Sequence, residues 1–321
     1  MKILVSGCYG FIGYNLCIYL CHNTKYKIYG IDNLNSISSA NELKNKKKNL
    51  NRYKNFYFNK IDICNLSKLF FFFKKEKFQI VINLAAKAGV RDSFFETRKY
   101  FQNNILGFFN MLDLSKKTKV KHFLYASSSS VYNNKKLINT VENLKTENQI
   151  SMYAATKKNN EVLAHSYSAM FKIPTTGLRF FTVYGPFGRT DMAVSIFTNN
   201  IIRKKLNFLF NRGNNKRDFT FIDDVVKVIH QLARKPSKQN IPYQVFNIGT
   251  GKNVSTNNLI KIISKKLNLK PKIKYIAANN SDVKITKANT NKLFSKIGFI
   301  PSINLDKGLE KYINWLSANE K

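Results

Sequence analysis

The sequence predicts an α/β fold: a doubly wound parallel sheet with helices on both faces, followed by a smaller C-terminal lobe. Three observations carry this. Short apolar runs alternate with helical patterns through the first two-thirds of the 321 residues. A glycine triplet closes the first apolar run and opens the first helical pattern. After about residue 185 the alternation loosens into shorter elements.

Taken in order, the strands read as Lys2–Ser6, Lys27–Ile31, Phe56–Asn59, Ile80–Leu84, His122–Ala126 and Thr175–Phe180. Helical patterns lie between them at Phe11–Cys21, Leu66–Lys75, Ser93–Lys117 and Met152–Phe171. Alternation of this kind, joined by right-handed crossovers, gives a parallel sheet covered on both faces. The run from Leu69 to Phe73 stops at Lys74-Lys75. It is far short of the roughly 20 residues that span a bilayer, and reads as buried helix. Polar breaks near Arg212–Lys216, Lys235–Asn240 and Ala277–Asp282 punctuate the rest. The dinucleotide-binding domain is expected over 1–185, with returning elements from about 219–250, and the substrate-binding lobe over 186–321. Such a lobe would cover the C-terminal edge of the sheet, where doubly wound folds bind their ligands.

Composition narrows the class. With 44% hydrophobic and 22% charged residues, the chain can bury one large core or two packed lobes. The N-terminal segment stops at Gly7 without a secretory cleavage pattern. No apolar run approaches a membrane span, so a cytoplasmic protein with no membrane partner is expected. The four cysteines, Cys8, Cys17, Cys21 and Cys64, form no C-x-x-C pair and have no histidine at ligand spacing. That argues for a reducing compartment and no metal, with Cys17 and Cys21 on one helical face. The net charge of +36 would attract polyanions. Its lysines, however, spread along the whole chain among many Asn, Ile, Phe and Tyr, all with A/T-rich codons. The densest run, Lys44 to Lys48, reads as a solvated face in a polar connection. No specific nucleic-acid partner is expected.

Gly7-x-x-Gly10-x-x-Gly13 follows the first strand and opens the first helix. Glycines there permit a tight turn and close backbone approach, and the helix N-terminus faces a pyrophosphate, as in the Rossmann fold. Asp32 ends the second strand, about 20 residues on, where a carboxylate binds the ribose 2′-hydroxyl. It would repel a 2′-phosphate, and no arginine adjoins it, so NAD is expected over NADP.

Tyr153-x-x-x-Lys157 sits near the start of a helical pattern, its two residues on one face. A neighbouring ammonium favours the phenolate, which suits a general base near neutral pH. Upstream, the strand His122–Ala126 runs into Ser127-Ser128-Ser129-Ser130. A serine there can donate to the same substrate oxygen. Together these groups suit removal of a proton from a sugar hydroxyl while NAD accepts the hydride.

With these residues in view, the chain resembles the extended branch of the short-chain dehydrogenase/reductase family, and within it the UDP-glucuronate 4-epimerases. The resemblance runs from Lys2 to about Trp315. It is carried by Gly7-Cys8-Tyr9-Gly10-Phe11-Ile12-Gly13 and by Leu84 to Arg91. Tyr125 to Tyr132, Tyr153 to Lys158, Leu178 to Pro186, Arg217 to Asp224 and Phe246 to Gly249 complete it. The resemblance implies Tyr153 as base, Lys157 as its electrostatic partner and ribose ligand, and Ser128 as hydroxyl donor. It implies that Gly7, Gly10, Phe11, Ile12, Gly13, Asp32 and Asn33 hold the cofactor. Asp62 and Ile63 would flank the adenine; Leu84, Ala85, Ala86 and Lys87 would line the cofactor, and Asn103 would approach it from a helix. Ser127, Thr182 and Arg189 would border the sugar with Arg91 nearby, and Arg217 and Asp282 would hold the UDP. A homodimer through Ser93–Lys117 and Met152–Phe171, and a place in cell-surface polysaccharide synthesis, are also implied.

Five positions depart from the family pattern: Cys8 for alanine, Asn133 for glycine, Phe187 for tryptophan, and Asn280-Ser281 for Pro-Gly. The serines at 129 and 130 discriminate between related chemistries. Sugar dehydratases and uronate decarboxylases of similar scaffold carry a carboxylate there, and dehydration needs such an acid/base. A 4-keto uronate is a β-keto acid prone to lose CO₂, so an epimerase must hold its carboxylate out of alignment; hydroxyls of Ser127 and Thr182 are candidates. The expected activity is therefore 4-epimerisation of UDP-glucuronate with tightly bound NAD. The alternatives are a UDP-glucose or UDP-N-acetylglucosamine 4-epimerase, and an inactive basic RNA-binding relative.

Overall fold

The computed structural model describes residues 1–35, 39–132, 139–277 and 283–319. Thirteen strands are described: β1 Lys2–Ser6, β2 Lys27–Asp32, β3 Phe56–Lys60, β4 Ile80–Asn83, β5 His122–Ser128, β6 Thr175–Phe180, β7 Thr182–Tyr184, β8 Leu206–Phe210, β9 Lys216–Arg217, β10 Phe219–Phe221, β11 Tyr243–Ile248, β12 Val254–Ser255 and β13 Lys272–Ile276. The helices are α1 Phe11–Asn23, α2 Ala40–Leu50, α3 Leu66–Glu76, α4 Thr97–Phe101, α5 Gly107–Lys117, α6 Met152–Phe171, α7 Ala193–Ile202, α8 Ile222–Ala233, α9 Thr256–Leu267, α10 Asn291–Ile297 and α11 Leu305–Asn319.

One unit comprises Met1–Asn133, Lys145–Phe180 and Val226–Phe246. Its sheet has the order β11-β6-β5-β4-β1-β2-β3, and β1 through β6 pair in parallel. This is the doubly wound arrangement that the sequence predicts, with β1 and β4 meeting where the strand order reverses. All four residues of β4 and all six of β6 are buried, as strands covered on both faces must be. On one face Leu4, Ile31, Val81 and Phe123 pack against Leu69 and Phe73 of α3 and Phe108 and Leu112 of α5. The apolar run in α3 is thus divided: Leu69, Phe72 and Phe73 are buried, whereas Phe70 and Phe71 are 43% and 69% exposed.

Three expectations need correction. The Lys44–Lys48 run is not a polar connection but the middle of α2, capped by Ser39, which accepts from Glu42 N–H. One of its lysines, Lys46, is buried. Helix Ser93–Lys117 is not continuous. A 3₁₀ turn at Asp92–Phe94 precedes α4, and a π turn at Gln102–Leu106 joins α4 to α5. The cause is local packing. Gly107 is pressed on the Ile63 side chain, where a Cβ would come within 2.6 Å, and Asn104 points inward to hydrogen-bond Lys87. Inserted π turns commonly mark such functional positions. Finally, β5 extends to Ser128, so Ser127 and Ser128 are strand residues. Their successive side chains face opposite sides of the sheet.

The other unit comprises Asn134–Leu144, Phe181–Val225 and Asn247–Lys321. It is built from two-stranded pieces, β7 with β10 and β8 with β13 in parallel and β9 with β12 antiparallel. Asp218 organises it: its buried carboxylate accepts from Thr250 N–H and hydroxyl, Gly251 N–H and Ala288 N–H at 2.7–3.1 Å. No helix among the described residues is long and apolar enough to cross a membrane. No group of three or more His, Cys, Asp or Glu among them can hold a metal ion.

Candidate active site

Parallel strands end at one edge, and in the first unit the predicted site residues gather there. Gly7 leaves β1 with φ of +71°, and a Cβ on it would lie 2.9 Å from Ala85 Cα. Gly13 lies so close to the turn that a Cβ would meet Gly7 O at 2.0 Å. Gly10 is the N-cap of α1 and brings no side-chain hydrogen bond. The first N–H groups of α1, Phe11 and Ile12 among them, are thereby left for an anion. These features fit a dinucleotide whose diphosphate sits on the turn. Gly13→Ala is expected to destabilise the fold by about 1–3 kcal/mol through overpacking and to lower the nucleotide carried through purification. Urea unfolding and absorbance of the released nucleotide check both. Cys8 is fully buried, its Sγ lying where a Cβ on Gly30 would come within 2.8 Å. The thiol thus fills space beneath the turn.

Asp32, at the end of β2, accepts from Tyr9 N–H at 3.1 Å and Leu34 N–H at 2.8 Å. Burial raises its carboxyl pKa, against the pull of those two donors. Next to it, Asn33 donates to Asp62 at 2.8 Å, and Asp62 also accepts from Cys64 N–H at 2.8 Å. The ends of β2 and β3 are so joined. Ile63 is buried, its carbonyl accepting from Asn110 at 3.0 Å.

Leu84 to Lys87 follow β4 and are half-buried. Ser6 ties this loop to β1: its hydroxyl bonds Asn83 and accepts from Ala85 N–H at 3.3 Å. The Lys87 ammonium pairs with Glu96 at 2.6 Å. Sequence reasoning missed Asn104, which accepts from Lys87 N–H at 2.7 Å and donates to Lys87 O at 2.9 Å and to Thr156 Oγ1 at 3.1 Å. One buried amide therefore joins the loop after β4 to α6, a residue before Lys157. Its neighbour Asn103 donates to Lys99 O in its own helix at 2.9 Å. Arg91 is exposed, in the turn before α4.

Helix α6 opens on Ser151, whose Oγ accepts from Ala154 N–H at 3.1 Å. This cap sets Tyr153 in the first turn and Lys157 one turn on. Lys157 is 3% exposed. Its Nζ donates to Ala126 O of β5 at 3.0 Å and lies 5.8 Å from the Tyr153 ring centroid. Burial pulls its ammonium down to about 8. The Tyr153 ring meets the buried Tyr100 ring edge-on at 6.3 Å. Ser128 Oγ accepts from Ser130 N–H and bonds Ser130 Oγ, both at 3.1 Å. Lys157 thus ties the helix of Tyr153 to the strand of Ser128.

Beneath this pair lies a network that the sequence did not reveal. Ser127 donates to Glu161 Oε1 at 2.7 Å. Glu161 takes Arg179 as a bidentate partner, Nε and Nη2 each at 2.8 Å. The guanidinium stacks on Tyr132 at 4.7 Å. Glu161 and Arg179 are 2% and 4% exposed. The Ser127 proton is committed to this network, on the face of β5 opposite Ser128.

In the second unit, Thr182 opens β7, its N–H donating to Asp218 O at 3.0 Å. Arg189 pairs with Asp191 through Nε at 2.9 Å and Nη2 at 2.5 Å. Arg217, in β9, donates to Lys216 O at 3.0 Å. Phe187 adopts a left-handed φ of 59° and packs on Trp315 at 4.9 Å. Asp282, and the departures at Asn133 and Asn280-Ser281, lie outside the described residues.

Known proteins are similar to this chain over nearly its whole length. Protein CapI of Staphylococcus aureus is 40% identical over 331 residues, covering 98% of this chain and 98% of its own. UDP-glucuronate 4-epimerase of Thermodesulfobacterium geofontis is 35% identical, covering 98% of this chain and 96% of its own. The crystal structure of UDP-glucuronic acid 4-epimerase from Bacillus cereus, in complex with UDP-glucuronic acid and NAD, is similar with a TM-score of 0.91. Its sequence is 33% identical, with 99% of each chain covered. Residues 3–249 match the pattern of one family, and relatives align from end to end: the chain belongs to the NAD dependent epimerase/dehydratase family.

Proposed function

We propose that the chain interconverts UDP-glucuronate and UDP-galacturonate through a 4-keto intermediate, with NAD retained between turnovers. The observation that carries the epimerase reading is the turn after Ser128, and likeness to UDP-glucuronate 4-epimerases supports the uronate. Ser129 and Ser130 offer half-buried hydroxyls and no carboxylate. The nearby Glu161 is bound to Arg179 and Ser127, away from acid/base work. An epimerase needs one base at the C4 oxygen and nothing to expel water or protonate a carbanion.

Gly7, Gly10, Phe11, Ile12 and Gly13 hold the diphosphate, and Asp32 and Asn33 the adenosine ribose, with Asp62 and Ile63 beside the adenine. Leu84, Ala85, Ala86, Lys87 and Asn103 line the rest. NAD, when bound, would supply a hydride acceptor and donor beside C4, and rotation of the 4-keto sugar would present its other face to the returning hydride. Tyr153 takes the C4 hydroxyl proton and gives it back, while Ser128 hydrogen-bonds the same oxygen. Lys157 stabilises the phenolate and holds the cofactor ribose. Thr182, Arg189 and Arg91 serve the sugar, and Arg217 and Asp282 the UDP. Arg189 then exchanges Asp191 for substrate. Ser127 acts through the position of β5, its hydroxyl being held by Glu161.

Incubation with UDP-glucuronate and no added cofactor, followed by proton NMR, tests this. UDP-galacturonate is the expected product. A 4-keto pentose would replace the reading by decarboxylation, and turnover of UDP-glucose or UDP-N-acetylglucosamine alone would reject the uronate.

Lys157 sets an alkaline limit. Because its pKa is lowered, to about 8, its charge is present below that pH and lost above it. Without the ammonium the phenolate loses its partner. The initial rate is expected to fall as pH rises through about 8, as a pH–rate profile measures.

The first unit leaves large apolar side chains outside on α4, α5 and α6: Phe101 is 52%, Phe109 39%, Val162 51% and Met170 68% exposed. Pairing two copies through these helices would cover them. Light scattering is expected to give the mass of a dimer.

A further inference from the structure

The proposed chemistry makes no use of Lys46, yet this lysine is among the most deeply buried side chains of the chain. It is 1% exposed, and lysine is almost never fully buried unless paired. Its partner is Glu42, one helical turn earlier, at 2.6 Å. Glu42 keeps 21% of its side chain exposed, so the pair turns its cation inward. There Nζ donates to Tyr9 O at 3.1 Å and lies 5.7 Å from the Tyr14 ring centroid.

The acceptor gives this contact its meaning. Tyr9 C=O belongs to the same planar peptide unit as Gly10 N–H. That N–H donates to Gly7 O at 3.0 Å. Both ends of the peptide between the turn and the N-cap of α1 are therefore held. Tyr9 N–H in turn donates to Asp32 at 3.1 Å. The orientation of the peptide at the N-cap decides where the next N–H groups of α1 point, and those are the donors offered to an anion.

Charge makes a second contribution. A diphosphate on this turn would stand near the Asp32 carboxylate, and two anions in a partly dry site repel. Burial raises the Asp32 carboxyl pKa, and the Lys46 charge works against that rise. An interior ammonium offsets the repulsion without touching the ligand.

The geometry points to Lys46 as a positioning residue for NAD: it fixes the Tyr9–Gly10 peptide and lets Asp32 and a diphosphate share one turn. This rests on the reading that NAD occupies the glycine turn.

The test compares wild type, Lys46→Met and Lys46→Gln, each checked for folding by circular dichroism. NAD per chain is counted after acid release, and NAD affinity is measured by calorimetry on stripped protein. Rate constants for UDP-glucuronate are taken at saturating NAD. Lys46→Met is expected to bind NAD at least about tenfold more weakly, the scale of one lost charge-assisted hydrogen bond. Lys46→Gln keeps a donor without the charge and should fall between. At saturating NAD, kcat and the KM for UDP-glucuronate should stay within about twofold of wild type. A merely structural lysine would instead lower kcat and stability together, and that outcome overturns the proposal. Unchanged NAD affinity in Lys46→Met also overturns it. If Lys46→Met does not fold, wild-type affinity in Lys46→Gln has the same force. Wild type that neither carries nor binds NAD would refute the cofactor reading itself, and the proposal with it.

Discussion

Tyr153→Phe is expected to lower epimerisation by about 10²–10⁴-fold, the range for loss of a positioned general base, while fold and NAD content stay unchanged. The ring remains, so its edge-on contact with Tyr100 is preserved. The Thr156 hydroxyl bonds Tyr153 only through its backbone carbonyl, at 2.8 Å. Only the phenolic oxygen is lost. Ser128 cannot replace it as base, because its hydroxyl has an ordinary alcohol's reluctance to ionise. Lys157 is held by Ala126 O at 3.0 Å and serves the phenolate by charge. Steady-state rates, with protein-bound NAD counted in the same preparations, separate lost chemistry from a lost cofactor.

Arg179→Ala is expected to destabilise the protein by about 3–5 kcal/mol, the cost of stranding one member of a buried ion pair. Glu161 is 2% exposed, and Ser127 would be left to hydrogen-bond its carboxylate. Glu161→Ala should cost a similar amount by stranding the guanidinium. The double replacement Glu161→Leu with Arg179→Met should recover much of either loss, since apolar pairs often substitute for buried ion pairs. Urea unfolding of the two alanine variants and of the double replacement Glu161→Ala with Arg179→Ala makes the double-mutant cycle. A strongly positive cycle locates the energy in the pair; additive costs would place it in packing against Tyr132.

How much of this was legible in the sequence follows from the range of the interactions. The glycine turn and the Tyr153–Lys157 spacing are encoded within a few residues, because a tight turn and a helical face are local geometries. The parallel sheet was legible too, through the apolar run of each strand and the helix that follows it. What escaped is long-range. Asn104 finds Lys87 at a separation of 17 residues and Thr156 at 52. Ser127 finds Glu161 at 34, and Lys46 finds Tyr9 at 37. A glutamate in a helix or a lysine in a basic run carries no local sign that a distant backbone group will bury it. The run Lys44 to Lys48 shows this best: composition marks it as solvated, yet one of its members faces the glycine turn. The π turn was hidden for the same reason: Gly107, just after it, lies against the distant Ile63 side chain.

The proposed catalysis is an internal redox cycle in which the hydride that leaves C4 is the one that returns. UDP-glucuronate carrying deuterium at C4 tests it directly, in ordinary water with no added cofactor. The expected product is UDP-galacturonate that retains the deuterium at C4, with no loss to solvent over many turnovers. Protium at C4 of the product would mean that the hydrogen exchanges with water or with free cofactor, and would contradict it.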